Sequence, residues 1–250
     1  MKKTIITALT LAALAAPASA GGIFDNLIYY ARAGFSIGGT SPIDMPASIR
    51  GLNKFTLQPN VSLSLDAYKP LTGKWGLMAG FHLENKDMKT DARVKNYHME
   101  IRQGSQSLSG MFTGNVVTEV EEWMVTLPLQ ATYDISPKVR IKAGPYLSYV
   151  LSHGFTGYAY DGYLRVGDPT GSKVEVGTDD SSRGTYDFSD SLRRLQFGFD
   201  VGADWYFSKR WGAYADISWG LTDIFESDFN TIEQTLYPIY GTIGLTYKLK

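Results

Sequence analysis

The sequence has no cysteine and only three histidines among its 250 residues. Without cysteine there is no disulfide to hold an exported fold together and no lipid-modified N-terminal cysteine to anchor one. Basic residues are not in excess, because 24 Lys and Arg stand against 25 Asp and Glu, so no nucleic-acid partner is indicated. Beyond residue 20, no apolar run is long enough for a membrane-spanning helix. A packed core or a membrane must therefore hold the fold.

The first 20 residues are typical of an export signal. An apolar stretch from Ile5 to Ala16 follows two lysines, and small residues at 18–20 suit cleavage. We expect residues 1–20 to be a cleaved signal peptide and residues 21–250 to form one domain. A short N-terminal membrane anchor is the alternative, although the stretch is short for about 30 Å of hydrocarbon.

A period of two residues runs through the rest of the chain and predicts β-strands with one apolar face. In residues 210–221, the odd positions from Trp211 to Leu221 are apolar and the even positions are small or polar. The same alternation recurs seven more times. The eight predicted strands cover residues 27–37, 55–66, 75–84, 122–133, 138–151, 192–207, 210–221 and 237–249.

The connections between these strands alternate between short and long. The short ones lie around 69–74, 135–138 and 208–210, and the long ones span 38–54, 85–118, 154–191 and 222–236. This pattern is typical of an all-β, eight-stranded antiparallel up-and-down transmembrane β-barrel with short periplasmic turns and long extracellular loops. Within the second long link, residues 93–103 are predicted to be the rising arm of a hairpin that turns at Gln103 to Gly110.

Aromatic residues near the strand ends indicate that a membrane surrounds the barrel. Trp211 and Trp219 share the apolar face of one strand, which places them roughly 20 Å apart across a membrane. Aromatic rings favour that interfacial depth. The predicted membrane-interface aromatics are Trp75, Trp123, Tyr133, Trp205, Trp211, Trp219 and Tyr237. The alternative is a secreted, soluble eight-stranded barrel of the lipocalin kind, which needs no aromatic pairs at this spacing.

The polar faces of the strands carry charges of both signs, which a barrel would turn toward its interior. The predicted polar network of the lumen comprises Arg32, Asp66, Glu84, Glu122, Arg140, Lys142, Arg194, Asp200, Asp204, Asp216 and Lys248. Eight strands enclose a space just wide enough to be filled by side chains, and unpaired charges there would be costly. We therefore favour a packed polar plug over an open pore.

The last predicted strand resembles the signal by which the barrel-assembly machinery recognises its clients. The matching residues are Thr242, Gly244, Tyr247 and Leu249. With the alternation and the stretch GYAYDGYLRVGDPTG at 157–171, the sequence resembles the porin-family or PorT-like outer-membrane β-barrels of the OmpA/OmpX size class. Members of this family usually end on an aromatic residue, whereas this chain ends Leu249-Lys250. The resemblance implies the outer membrane of a Gram-negative bacterium, with membrane lipid and the assembly machinery as partners.

Three functions of different classes fit these features. The first is a structural or surface-interaction protein whose loops bind an extracellular ligand or protein; Tyr158, Tyr160, Tyr163 and Tyr186 would supply its contact surface. The second is a narrow porin-like channel for small solutes. The third is an outer-leaflet lipid-modifying enzyme using His153 next to Ser152. We expect no enzyme, because no acid of suitable geometry can be named; His82 is expected in the lumen and His98 in a loop.

The third long loop is rich in acidic residues, which are potential Ca²⁺ ligands. They are Asp161, Asp168, Glu175, Asp179, Asp180, Asp187 and Asp190. Their spacing is not that of an EF-hand, so a solvated acidic loop is the simpler interpretation. We expect no metal and no cofactor.

Overall fold

The computed structural model describes residues 25–43, 46–104, 106–229, 231–232 and 234–249. The expected signal peptide at 1–20 lies outside these residues, so its cleavage stays a prediction. The described part of the chain forms twelve β-strands in one sheet and a single 3₁₀ helix. Within it, no helix has the length and apolar character that a membrane crossing requires.

The strands follow one another with few other elements between them. In chain order they are β1 (Ile28–Ser41), β2 (Ile49–Thr56), β3 (Asn60–Pro70), β4 (Trp75–Asn85), β5 (Met88–Gln103), β6 (Gln106–Ser136), β7 (Val139–Val166), β8 (Lys173–Val176), β9 (Gly184–Asp187), β10 (Leu195–Tyr206), β11 (Trp211–Gly220) and β12 (Tyr237–Lys248). The 3₁₀ helix, Ser189–Ser191, precedes β10.

Eight of these strands, the ring strands, pair antiparallel in a circle. Their order is β1, β3, β4, β6, β7, β10, β11 and β12. The ring closes because β12 pairs with β1 from Tyr30↔Lys248 to Ser41↔Tyr237. A closed ring leaves no strand edge unpaired. We call the end with the turns after β3, β6 and β10 the short-turn end and the other end the long-loop end.

The sheet has twelve strands where the alternation predicted eight, and the difference arises in the predicted long links. At 31 and 28 residues, β6 and β7 stay paired with each other up to Gly110↔Val166. Beside them lie β2, β5, β8 and β9. The links 85–118 and 154–191 are therefore largely strand and not loop. We call β2, β5, β8, β9 and residues 106–122 and 153–166 of β6 and β7 the extension.

The hairpin predicted in the second long link is present in the extension. Its rising arm is β5, which pairs with β6 from Met88↔Val120 up to Gln103↔Gln106. The turn therefore lies between Gln103 and Gln106 and is shorter than the predicted turn, which spans Gln103 to Gly110.

The apolar faces of the ring strands point outward and their polar faces point inward. Val201, Ile217, Ile243 and Leu245 are between 51% and 62% exposed. The neighbouring Asp200 and Thr246 are buried inside the ring. A polar interior and an apolar exterior are the reverse of a barrel in water, and they suit a barrel surrounded by hydrocarbon.

The extension has an apolar core of its own, here called the outer core. It is built from Met88, Val94, Met99, Ile101, Phe112, Val116, Val120, Phe155, Ala159, Leu164, Val176, Tyr186, Leu192, Ile224 and Phe225. Its members come from β5, β6, β7, β8 and β9 and from the segments on either side of β10 and β11. These contacts explain why the predicted loops are ordered strands, since pairing them buries a large apolar area.

Candidate functional site

Five charged side chains from five ring strands meet inside the barrel near the short-turn end, and we call them the ion layer. Arg32 on β1 lies 2.8 Å from Asp66 on β3 and 3.0 Å from Asp204 on β10. Lys142 on β7 lies 3.2 Å from Asp204 and 2.8 Å from Asp216 on β11. The side chains of Arg32, Lys142 and Asp204 are at most 1% exposed. The layer therefore places two cations and three carboxylates, in direct contact with one another, across the lumen.

Glycines opposite two of the carboxylates make room for the ion layer. Gly80 faces Asp66 across β3 and β4, and Gly202 faces Asp216 across β10 and β11. A Cβ atom at either glycine would collide with the facing carboxylate oxygen. The glycines among the inward positions thus give the charged side chains the volume that they occupy.

A layer of stacked aromatic and cationic groups closes the short-turn end below the ion layer. The Arg140 guanidinium lies 3.6 Å from the centre of the Tyr68 ring and donates a 2.6 Å hydrogen bond from Nε to Asp134. The rings of Tyr30 and Tyr206 lie 5.9 Å apart. Tyr30, Tyr68 and the adjacent Met78 are buried. We call this group the aromatic plug.

Toward the long-loop end, carboxylates and cations again meet in pairs. His82 Nε2 lies 2.8 Å from Asp66, and Lys86 Nζ lies 3.5 Å from Glu84. Gln196 donates a 2.8 Å hydrogen bond to Glu122. A small polar cavity lies between these groups and the ion layer, and its walls include Ser62, Ser64 and Asp200.

Two members of the predicted lumen network are not buried in the barrel. Arg194 is exposed, so its assignment to the lumen is wrong. The reason is that β10 begins only at Leu195, because the preceding Leu192 forms an isolated bridge with Phe225. Lys248, the last residue of β12, is half-buried at the short-turn end. The structure places the others along the inner face: Arg32, Asp66, Glu84, Glu122, Arg140, Lys142, Asp200, Asp204 and Asp216.

Sequence reasoning missed Lys86 and a set of inward tyrosines. Lys86 is buried in the two-residue break between β4 and β5, with Nζ 5.3 Å from the Tyr146 ring and 5.7 Å from the Tyr240 ring. Lys86 lies in the predicted loop 85–118, and a lysine in a loop is expected to be exposed to solvent. The tyrosines had a usable signal, since Tyr146, Tyr214 and Tyr240 occupy the polar positions of their strands.

The predicted interface aromatics lie on the outer surface at both ends of the ring. The five tryptophans, Trp75, Trp123, Trp205, Trp211 and Trp219, are between 42% and 56% exposed. At the short-turn end, Trp75 packs on Tyr133 with ring centres 5.0 Å apart, and Trp211 packs on Tyr247 at 4.8 Å. Trp219 is the second-last residue of β11, and Tyr237 begins β12, both at the opposite end. Two aromatic bands therefore border the apolar surface.

The residues of the predicted assembly signal have different surroundings along β12. Thr242 points inward, with its hydroxyl 2.8 Å from that of Ser36. Gly244 lies opposite Gly34 on β1. Tyr247 packs on Trp211, and Leu249 is 50% exposed. Recognition of these residues by the assembly machinery stays a prediction.

The three histidines lie at separate places. His82 is in the lumen, and His98 Nδ1 on β5 lies 3.1 Å from the carbonyl oxygen of Thr231. His98 is thus on a strand and not in a loop. His153 lies opposite Glu122 in the β6–β7 pairing, and Ser152 lies opposite Trp123.

The tyrosines of the third long link do not form one surface. Tyr186 is 6% exposed and bonds through its hydroxyl to the Val117 carbonyl and to Thr118, both at 2.7 Å. Burial raises the pKa of this hydroxyl, and its place in a contact surface is a wrong expectation. Tyr160 donates a 2.8 Å hydrogen bond to Asp91, and burial together with this bond raises the pKa of Tyr160 to about 12.

Tyr158 and Tyr163 are half-buried and contact cations. The Arg183 guanidinium lies 4.3 Å from the Tyr158 ring, and Lys173 Nζ lies 4.5 Å from the Tyr163 ring. These two tyrosines therefore remain available for the contact surface that the sequence predicted.

Four of the seven acidic residues of this link have partners close to them in sequence. Hydrogen bonds from the Thr170 and Ser189 hydroxyl and N–H groups hold the pKa values of Asp168 and Asp187 below their usual range. Glu175 pairs with Lys173 and Asp180 with Arg183. No group of three or more His, Asp or Glu side chains suited to a metal ion occurs in the described part of the chain.

These features define a class. A closed antiparallel sheet with an apolar exterior, two aromatic bands and a charged interior is a transmembrane β-barrel. A family model described as "Outer membrane protein beta-barrel domain" matches residues 25–226. The chain therefore belongs to this outer-membrane β-barrel family, and its location is the outer membrane of a Gram-negative bacterium.

Three solved structures show how far the likeness extends. Ail of Yersinia pestis is 8% identical with a TM-score of 0.38, and the match covers 89% of this chain and 97% of Ail. Neisserial surface protein A is 12% identical with a TM-score of 0.37 over the same shares. OprG from Pseudomonas aeruginosa is 14% identical with a TM-score of 0.38, covering 89% and 95%. No curated protein matches the sequence. Family membership therefore rests on the family model.

Proposed function

We propose that the protein is a surface-interaction protein of the outer membrane, with a lumen closed to solutes. The eight ring strands cross the membrane and act as the anchor. The extension projects from the long-loop end into the extracellular space and is the working surface. The observation that carries this proposal is the ion layer, which places paired, buried charges across the lumen.

The ion layer supports a closed lumen on energetic grounds. Arg32 and Lys142 share Asp204, so moving either cation aside leaves a buried carboxylate short of a partner. Breaking one partner of a buried ion pair costs about 3–5 kcal/mol. The aromatic plug lies next to this layer and adds a second barrier at the short-turn end. A solute would have to open both.

The extension supports a role outside the membrane. It contains β2, β5, β8 and β9 in full, together with the upper parts of β6 and β7. A structure that served only as a membrane anchor would not need an apolar core beyond the membrane. The outer core gives this region the packing that holds a binding surface in shape.

We also propose that the protein is not an enzyme. The lipid-enzyme alternative used Ser152 and His153 as nucleophile and base. Ser152 is exposed, whereas the buried Nδ1 of His153 makes no hydrogen bond within the described residues. Nucleophilic catalysis needs the nucleophile within hydrogen-bond reach of the base, which in turn is oriented by an acid.

Conductance across planar lipid bilayers tests the closed lumen. We expect the unaltered protein to give no stable current steps. The triple variant Arg32→Ser, Asp204→Ser and Tyr68→Ser removes one cation and one anion of the ion layer and one ring of the aromatic plug. It leaves Lys142 paired with Asp216, so we expect small steps from it. The matched control Lys173→Ser with Glu175→Ser removes an exposed pair and should stay silent. Stable steps from the unaltered protein would favour the narrow channel and contradict the closed lumen.

A further inference from the structure

The extension contains an apolar cavity that none of the assignments above uses. The space within it, together with the open solvent at its mouth, is about 710 Å³. Strands β5, β6 and β7 form one side, through residues such as Met88, Met99, Val116 and Phe155. Further lining comes from β1, from β2, from Tyr186 and Phe188, and from Ile232 and Leu236 before β12. We call it the outer cavity.

A bulge in β5 lets this strand line the outer cavity along most of its length. Met88, Thr90, Ala92 and Val94 are at even positions and face the cavity. After Val94 the register with β6 shifts, and Asn96 has a left-handed φ of 53°. Tyr97 and Met99, at odd positions, then face the same space. Without the bulge, these two side chains would point away from the cavity.

The walls of the outer cavity carry no charge. The lining residues with polar side-chain groups are three threonines and two tyrosines. The Tyr186 hydroxyl is already bonded to the Val117 carbonyl and to Thr118. A charged ligand would lose its hydration there and find no opposite charge. The lining therefore selects an uncharged, apolar occupant.

The backbone around the outer cavity argues against a peptide as occupant. An extended peptide needs a free strand edge for its N–H and C=O groups. Strands β5 and β6, which line much of the cavity, each have a partner on both sides. Among the described residues, strand β2 pairs with β5 alone, but it contributes only Ile49 to the lining. Small-molecule sites are concave and lined mostly by apolar and aromatic side chains, as this cavity is. Met88 and Met99 add flexible walls that adapt to ligand shape.

We propose that the outer cavity binds a small uncharged hydrocarbon-like molecule. The inference rests on the proposed function, because it names the ligand class of the extracellular working part. The apolar side chains supply the contact area, and the closed lumen behind them prevents passage through the barrel. Binding and the absence of conductance are therefore separate properties of the molecule.

Methionine methyl groups report on the outer cavity directly. The unaltered protein is labelled with ¹³C-methyl methionine, placed in lipid nanodiscs and titrated with naphthalene. Met88 and Met99 line the cavity, whereas Met78 lies in the aromatic plug. We expect saturable NMR shifts of the Met88 and Met99 methyl groups and none at Met78. No saturable shift at Met88 and Met99, or a shift at Met78 alone, would overturn the proposal.

A pair of variants on β5 separates the cavity from the rest of the surface. Ala92→Trp fills the outer cavity, whereas Arg93→Trp adds the same ring to the exposed opposite face. We expect Ala92→Trp to weaken naphthalene binding at least about tenfold and Arg93→Trp to change it less than about twofold. Unchanged affinity in Ala92→Trp would count against the site.

A second cavity-filling variant keeps the test possible if the first one does not fold. If Ala92→Trp loses its heat-modifiable gel mobility, Thr90→Phe fills the same cavity with a smaller ring and should weaken binding in the same direction. Failure of this proposal is distinguishable from failure of the proposed function. Loss of naphthalene binding leaves the silent bilayer recording intact, and a conducting lumen leaves the methionine shifts intact.

Discussion

Asp204 is the side chain that joins the two cations of the ion layer. Arg32 donates hydrogen bonds to both of its oxygens, Lys142 lies 3.2 Å from Oδ1, and its carboxylate is fully buried. Neither cation can move into solvent from this position. The stability of the barrel interior therefore depends on the charge of one carboxylate more than on its shape.

The substitution Asp204→Asn tests this dependence. It keeps the shape of the side chain but weakens the contacts with both cations, which retain Asp66 and Asp216 as partners, so we expect a loss of about 1.5–3 kcal/mol in unfolding free energy. Urea unfolding in detergent, followed by tryptophan fluorescence, measures it. The control Glu175→Gln breaks an exposed pair with Lys173 and should cost less than about 1 kcal/mol. Equal losses in both variants would show that burial of the pair is irrelevant.

The inward or outward direction of a side chain could be predicted where the residue lies in the middle of a strand. Arg32, Lys142 and Asp204 sit inside long alternating segments, so parity alone decides that they point inward. Lys86 sits in a break between strands, where there is no parity to use. Arg194 was misplaced because its strand begins one residue later, after a contact between Leu192 and Phe225 that is distant in sequence.

At the scale of elements, the seam between β1 and β12 is where the chain closes the ring. Gly34 and Gly244 lie opposite each other in this pairing, and Tyr214 on β11 packs across both. A Cβ atom at Gly244 would collide with the Ala33 carbonyl oxygen and approach the Tyr214 ring to 2.7 Å. The two glycines therefore make closure compatible with an inward tyrosine.

Gly244→Val is expected to disturb this seam. The added side chain displaces Tyr214 and strains the backbone of β1, at a cost of about 1–3 kcal/mol typical of overpacking. The yield of the heat-modifiable folded form on gels measures the effect. Gly241→Val is the matched control on β12, because its Cβ would meet only the Ile37 carbonyl, at 3.8 Å. A normal yield from Gly244→Val would refute the packing argument.

The alternation of apolar and polar residues predicted the strands of the ring but not those of the extension. A strand with lipid or solvent on one face alternates, whereas a strand covered on both faces does not. Val116 and Val117 on β6 are adjacent and both buried. Their pairing partners on β5 and β7 lie far away in sequence, so local reading assigned this region to a loop.

On the scale of the whole molecule, two opposite packing rules operate within one sheet. Inside the ring, charges pair and apolar groups face outward toward lipid. In the extension, the inner faces of β5, β6 and β7 are apolar and enclose the outer core. Strands β6 and β7 run through both parts, and the change falls near Glu122 and His153. We expect the membrane to end near this change of interior.

The orientation of the molecule follows from this division, and its lack of cysteine makes the orientation measurable. Ser181, between β8 and β9, and Lys209, in the turn before β11, are exposed at opposite ends. We expect a membrane-impermeant maleimide to label Ser181→Cys on intact cells and Lys209→Cys only after the outer membrane is permeabilised. The unaltered protein has no thiol and is the blank. Labelling of Lys209→Cys on intact cells, with Ser181→Cys protected, would reverse the orientation and place the outer cavity in the periplasm.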